Sequence, residues 1–319
     1  MKLLIQIRHS IACTLLLLPL MGCTPVPCAP EAGAEPQPDA TGLTFYDFHA
    51  PQPHGGYCEQ QVFGAGTLIA EPVNFCFAIT TFLLGLFAVL RSYRTTMAFQ
   101  FLYAFLTAYG LFGAAYHVGV NNGFYRMMDV TGSFIQSFIL VMLVHSLYLY
   151  RIKVTDAEQK KRRYRYLTNL FTLLFTMYPA AVHIAGESSP NPWVAWLVFD
   201  LLWFVIAAML ILIWKRRNHW PCIPTDARVF KLVWYAIATC ILAYGGWCID
   251  KFICNCETPW LAMFHFHGWW HFFMGLSFYY MITLNRFFSA HEYNFQPVLK
   301  RFPAHTRFAL SFVDWQEKQ

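Results

Sequence analysis

Seven apolar stretches of helical length leave this chain few folds to choose from. They run about Pro72–Leu90, Met97–His117, Val130–Tyr150, Tyr166–Ala185, Val194–Trp214, Val229–Cys248 and Phe266–Phe287. A helix needs about 20 apolar residues to cross a bilayer core, whereas a barrel strand needs about 10. Stretches of this length therefore exclude a barrel. The 319 residues are 57% hydrophobic and 13% charged, against about 25% charged in ordinary soluble domains. The expected fold is an all-α membrane protein, a seven-transmembrane helix bundle over residues 71–290. The net charge of +6 is parcelled into loops, so it marks topology, and no nucleic-acid partner is expected. Nothing in the pattern sets an oligomeric state.

The chain opens with a different kind of segment. Lys2 and Arg8 precede the apolar run Ile11–Met21, followed by Gly22 and Cys23. That is the layout of a secretory signal over residues 1–22. Leu20-Met21-Gly22-Cys23 also resembles a bacterial lipobox, with Cys23 as the lipidated residue, although Met at its second position is atypical. An uncleaved signal anchor is the other reading. Residues 23–70 form an exported segment, and its Thr24–Pro38 part is rich in Pro, Ala and Glu, the composition of a disordered linker.

Loop charge orients the bundle, because Lys and Arg concentrate on the cytoplasmic side. Arg91 and Arg94 follow the first span, Arg151, Lys153 and a run from Lys160 to Arg165 follow the third, and Lys215, Arg216 and Arg217 follow the fifth. The alternate loops hold little: Arg126, none over His183–Trp193, and Lys251. The N-terminus is expected outside and the tail, residues 291–319, in the cytoplasm. With that orientation His117, Asp129, His267 and His271 share the outer layer, which faces the periplasm or another extracytoplasmic space.

His267 and His271 lie one helical turn apart and share a face. Two imidazoles so spaced can grip one metal ion, and with a third from His117 they make the ligand set of a catalytic zinc with one position left for water. A histidine in a membrane helix is also a common interhelical hydrogen-bond partner, and aromatic packing alone would explain Trp269 and Trp270. Asp129 can orient a ligand, act as general base, or simply cap the third span. His265 lies off the face of the pair and is not expected to be a ligand. Asp200 falls in another span and is not assigned to the site.

Four blocks resemble the alkaline ceramidases, within a wider superfamily of seven-span hydrolases and receptors. They are Tyr57-Cys58-Glu59 with Ile69-Ala70-Glu71-Pro72-Val73-Asn74, Tyr116-His117 with Asp129, Trp247-Cys248-Ile249-Asp250 with Cys254, and His267-Gly268-Trp269-Trp270-His271. The last is the most specific. The resemblance covers roughly Gly56–Phe288. It implies a zinc ion on His117, His267 and His271, with Asp129 passing a proton as an activated water cleaves the ceramide amide to a sphingoid base and a fatty acid. A hydrophobic cavity between helices would hold the acyl chain.

Two departures matter. Gly113 stands where the family usually has a serine, so a hydroxyl is missing unless Ser133 or Ser277 supplies it. Animal members also bind calcium, and Glu59, Gln61 and Glu71 match ligand positions, but Gly56 replaces an aspartate. Calcium prefers six to eight oxygens, which makes this set incomplete. Glu71 has a competing reading as an acid beside the helix start of the first span. Cys58, Cys254 and Cys256 are expected on the outer face, where disulfides persist, and the resemblance favours a Cys58–Cys254 bond. The leading expectation is a zinc amidohydrolase acting on ceramide or another N-acyl lipid. The alternatives are a lipid ester hydrolase that remodels acyl chains and a receptor-like protein that keeps its zinc structurally.

Overall fold

The computed structural model describes residues 71–92, 95, 97–119, 227–253, 259–290, 295–302 and 310–317, with single residues between 124 and 142 and between 206 and 215. Four long helices carry the body: α1 (Pro72–Arg91), α2 (Met97–Gly119), α3 (Ala227–Cys248) and α4 (Phe266–Ala290). They correspond to the first, second, sixth and seventh apolar stretches, each ending within three residues of the expected limits. Described residues of the third stretch, such as Thr131, Ile135 and Ile139, are also helical, as is Ile206 in the fifth. The fourth stretch, the N-terminal 70 residues and most of the charged loops lie outside the described residues.

Local chemistry explains the helix limits. Pro72 occupies the first position of α1, where its missing N–H costs nothing and its fixed φ suits a helix. Arg91 closes the helix where a cation faces the negative end of the dipole. One stripe of α1 is buried, formed by Val73, Asn74, Phe77, Ala78, Thr81, Gly85 and Ala88. The opposite face is also apolar yet exposed, with Leu83, Leu86 and Leu90 turned outward. Helices that are apolar all round belong in a large core or a bilayer. Among the described residues, α1 and Met97–Val118 of α2 are long and apolar enough to cross a membrane. Helices α3 and α4 have the length but carry more Trp, Tyr and ionisable side chains.

Helix α1 is wedged between α2 and α4. It runs antiparallel to α2, with the Glu71 amide donating to the His117 carbonyl at 3.1 Å. It runs parallel to α4, with Thr81 Oγ1 donating to the His271 carbonyl at 2.8 Å and Arg286 donating to Ser92 Oγ at 2.8 Å at the far end. Helix α3 packs antiparallel on α4, where Ser277 donates to the Ala236 carbonyl at 3.0 Å. The start of α1, the end of α2 and the start of α4 therefore meet at one end of the bundle. This is the layering expected from the order of the spans.

Close approach of α1 and α2 depends on Gly110. A Cβ at this position would lie 2.2 Å from the Phe82 backbone nitrogen, and backbone cannot step aside as a side-chain tip can. Small residues at such crossings let membrane helices pack tightly. Gly110→Ala is expected to destabilise the chain by about 1–3 kcal/mol through overpacking. Gly245→Ala is the control, because no atom lies within 4 Å of a Cβ there. Thermal unfolding of both variants in detergent checks this, and equal melting temperatures would refute it.

The C-terminal region corrects the all-α expectation, and the described chain is mostly helical. Strands β1 (Phe295–Phe302) and β2 (Leu310–Glu317) pair antiparallel, with Phe295 opposite Glu317 and Phe302 opposite Leu310. Their alternation is short, which hides it in a polar tail. Leu299 faces Val313, both buried, while neighbouring Lys300 is exposed and bonds Asp314 Oδ2 at 2.6 Å. The hairpin docks on the bundle through Tyr279, whose hydroxyl donates to the Ser311 carbonyl at 2.9 Å. The Arg91 guanidinium lies 4.5 Å from the centre of the Phe302 ring, a cation–π contact. Pro297 is tolerated because every strand of a two-stranded sheet is an edge strand.

Candidate metal centre

Where the ends of α1, α2 and α4 meet, three histidines converge. His117 sits in the last turn of α2, and His267 and His271 occupy the first two turns of α4. One ligand atom from each lies within 4.8 Å of the others. All three are buried, at 0%, 2% and 1% exposure. That burial decides between a surface cluster and a built site, since unpaired imidazoles are costly to remove from water. Nε2 of His117 lies 2.6 Å from Nε2 of His271. Two ring nitrogens that close need a proton or a metal ion between them. Three buried imidazoles gathered in this way could hold a metal ion.

Aromatic rings fix the imidazoles in place. Trp270 stacks on His267 with ring centres 5.5 Å apart, and Tyr116 meets the His117 ring edge-on at 4.9 Å. Trp269 points away and packs on Phe77 at 4.7 Å. Phe77 fills the space beside Gly268, where a Cβ would fall 2.4 Å from its ring. The smallest residue in the His-Gly-Trp-Trp-His block thus leaves room for Phe77 of the first helix.

Glu71 is the residue whose place the sequence did not reveal. It holds the cap position of α1, yet its side chain does not bond the helix backbone. Its Oε2 instead contacts Nδ1 of His117, and Nδ2 of Asn74 donates to the same oxygen at 3.2 Å. Glu71 is fully buried. Burial pushes its carboxyl up to about 7, opposed by the Asn74 hydrogen bond. The sequence offers Glu71 as a calcium-ligand position of the resemblance and as an acid beside a helix start, and neither reading sets it on His117.

The other expected residues fall into two groups. Asp129, Glu59, Gln61, Cys58, Cys254 and Cys23 lie outside the described residues, as does Ser133. His265 is described, and it stands apart from the metal-binding group, as expected. Its backbone takes a left-handed φ of 49° immediately before α4, a conformation uncommon outside glycine and more frequent in His than in most residues. Its carbonyl accepts the first helical N–H, from Trp269, at 3.1 Å. Burial pulls the His265 imidazole down to about 4. Ser277 does not replace the missing serine. Its hydroxyl is engaged by the Ala236 carbonyl, well along α4 from the histidines. A Cβ at Gly113 would lie 3.4 Å from Cε1 of His271 and 3.2 Å from Sδ of Met128. The position that carries serine in the family therefore borders the triad, and Met128, His271 and Ala78 close in on it.

A comparison with family models matches residues 53–310 to the ceramidase family. The chain belongs to the ceramidase family. The match spans all four long helices and the first strand, so it embraces the whole histidine cluster. Ceramidases are membrane-associated hydrolases that act on amide bonds, and ceramide is their characteristic lipid substrate. A comparison with curated proteins finds no match.

Proposed function

We propose that this ceramidase-family chain is a zinc-dependent amidohydrolase embedded in the membrane. It cleaves the N-acyl amide of ceramide or a related N-acyl lipid to a sphingoid base and a free fatty acid. The observation that carries the reading is the buried cluster of His117, His267 and His271 at one end of the helix bundle. These side chains would hold the ion. Zinc, when bound in such a site, lowers the pKa of water towards about 7 and polarises an acyl carbonyl.

The protein supplies the rest. Asp129 takes a proton from the attacking water and passes it to the leaving nitrogen. The water oxygen bonds to the acyl carbon, the C–N bond breaks, and the amine leaves with the transferred proton. Support for placing Asp129 here comes from its neighbour Met128, which is buried beside Gly113 next to His271. The reading includes an outer-facing active site behind seven spans and a Cys58–Cys254 bond that ties the N-terminal segment near the site.

Purified protein incubated with mixed membrane lipids tests the reaction. Mass spectrometry should show a new sphingoid base together with a fatty acid. Lysophospholipid as the product would replace the amidase by an esterase. Folded, zinc-loaded protein that yields no product would favour a receptor-like role.

A further inference from the structure

We infer that the 3₁₀ turn Pro259–Phe264 is an interfacial lip, seated in the bilayer leaflet on the histidine side and holding lipid beside the metal centre. The inference rests on the proposed membrane amidohydrolase and adds a surface that receives its lipid. Trp260, Met263 and Phe264 are 59%, 61% and 54% exposed. Side chains three apart eclipse in a 3₁₀ helix, so Trp260 and Met263 share one face. The Phe264 ring meets Trp260 edge-on at 6.1 Å, while Leu261 is buried. The turn carries no charged residue.

The chain that follows fixes the turn to the site. Phe264 stacks on Phe266 with ring centres 5.7 Å apart, across the left-handed backbone of His265. Phe266 opens α4 and directly precedes His267. A Cβ on Gly246 of α3 would lie 3.0 Å from the Phe266 carbonyl, so α3 passes close by at the same point.

Lipid is the occupant that the surroundings call for. A loop in water rarely exposes a contiguous patch of Trp, Met and Phe. Here the exposed apolar surface does not end at the turn. Val118 follows His117, Trp269 lies between His267 and His271, and both are exposed. Leu83 and Leu86 on α1, Leu111 on α2, and Ile241 and Leu242 on α3 continue it along the helices. A partner protein would cover one patch, whereas a bilayer covers all of these at once. Trp at a membrane boundary keeps its ring in the apolar zone and its N–H among the headgroups. An N-acyl lipid is built the same way, with apolar chains below a polar amide. The lip therefore sets the histidine cluster at the depth where that amide lies.

Photocrosslinking of the full-length chain in phospholipid nanodiscs tests this. With Phe264 replaced by benzoylphenylalanine, mass spectrometry after irradiation should show lipid adducts as abundant as those from the same probe at Leu83. Photomethionine at Met263 barely changes the side chain, and it should give the same adducts where the larger probe disturbs folding. Adducts to residues 23–70 of the same chain, to a second copy of it, or to water in place of lipid would overturn the inference. Kinetics test the holding role. Replacing Trp260, Met263 and Phe264 together with serine should raise KM for ceramide in a bilayer by about tenfold, roughly the worth of one buried apolar side chain. It should leave kcat unchanged, as expected where only ground-state binding is lost, since none of the three belongs to the histidine cluster. A KM equal to that of wild type would overturn the holding role. Wild type that forms the lipid adducts but hydrolyses nothing would support the lip and remove only the amidase reading.

Discussion

Replacing both His267 and His271 with alanine should leave the purified chain without zinc and without hydrolytic activity. The two side chains supply two of the three nitrogens in the cluster, and a lone His117 imidazole cannot hold the ion against water. The substitutions sit on the first two turns of α4 and exchange helix-compatible residues for the best helix former, so the helix itself should persist. Each removes a buried ring, and the stability cost is of the order of a few kcal/mol through lost packing. Melting temperature must therefore be measured on the same preparation. Metal content per chain, determined by elemental analysis, gives the answer. His265→Ala is the matched control, since His265 lies outside the group, and it should keep its zinc. A double variant that stays folded and retains full zinc would end the metal-centre reading.

The histidine layer was legible because it depends on two local signals. Spacing by four puts His267 and His271 on one helix face, and alternating loop charge sets the direction of each span. Together these bring His117 to the same end without any knowledge of packing, and the parallel course of α1 and α4 agrees with that order. Apolar run lengths likewise gave the helix limits, as with Phe266–Phe287 against Phe266–Ala290. What the pattern does not encode is which helices touch. An apolar stripe reads the same whether it meets lipid or protein, so the Gly110–Phe82 crossing and the seat of Phe77 at Gly268 were invisible. The bond between Glu71 and His117 spans 46 positions, and no periodicity reaches that far. The π-helical turn Ile249–Ile253 and the 3₁₀ turn Pro259–Phe264 lie in what reads as an ordinary loop, because their deviation from the α repeat leaves no compositional trace. The hairpin was missed for a related reason. Two eight-residue strands in a charged tail offer only a few alternations, and their burial comes from Tyr279 and Arg91 on the helices.

Asp129→Asn should keep zinc and lose most hydrolysis. An amide is nearly isosteric with the carboxylate but cannot accept and release the proton that amide cleavage requires. General acid–base catalysis by a positioned side chain contributes typically about 10²–10⁴-fold, and the loss of turnover should fall in that range. Amide hydrolysis depends on it heavily, because the departing nitrogen is a poor leaving group until protonated. Two other roles for the aspartate make different predictions for the same variant. If Asp129 only orients a histidine, zinc affinity should fall by about 10–100-fold along with activity. If it only caps the third span, zinc and turnover should both survive, with a stability cost of about 1 kcal/mol. The case for the proton-transfer role is positional and energetic. Asp129 directly follows Met128, which is buried beside Gly113, and an ionisable group at the edge of a membrane span is costly to keep without a function. Glu71, which touches the triad, is already committed to Nδ1 of His117 and to Asn74, which leaves the proposed proton transfer to a different carboxylate. Zinc content and turnover measured on one Asp129→Asn preparation separate the three roles. Turnover equal to wild type would take Asp129 out of the reaction and leave the histidine cluster to serve either a different general base or a binding function without catalysis.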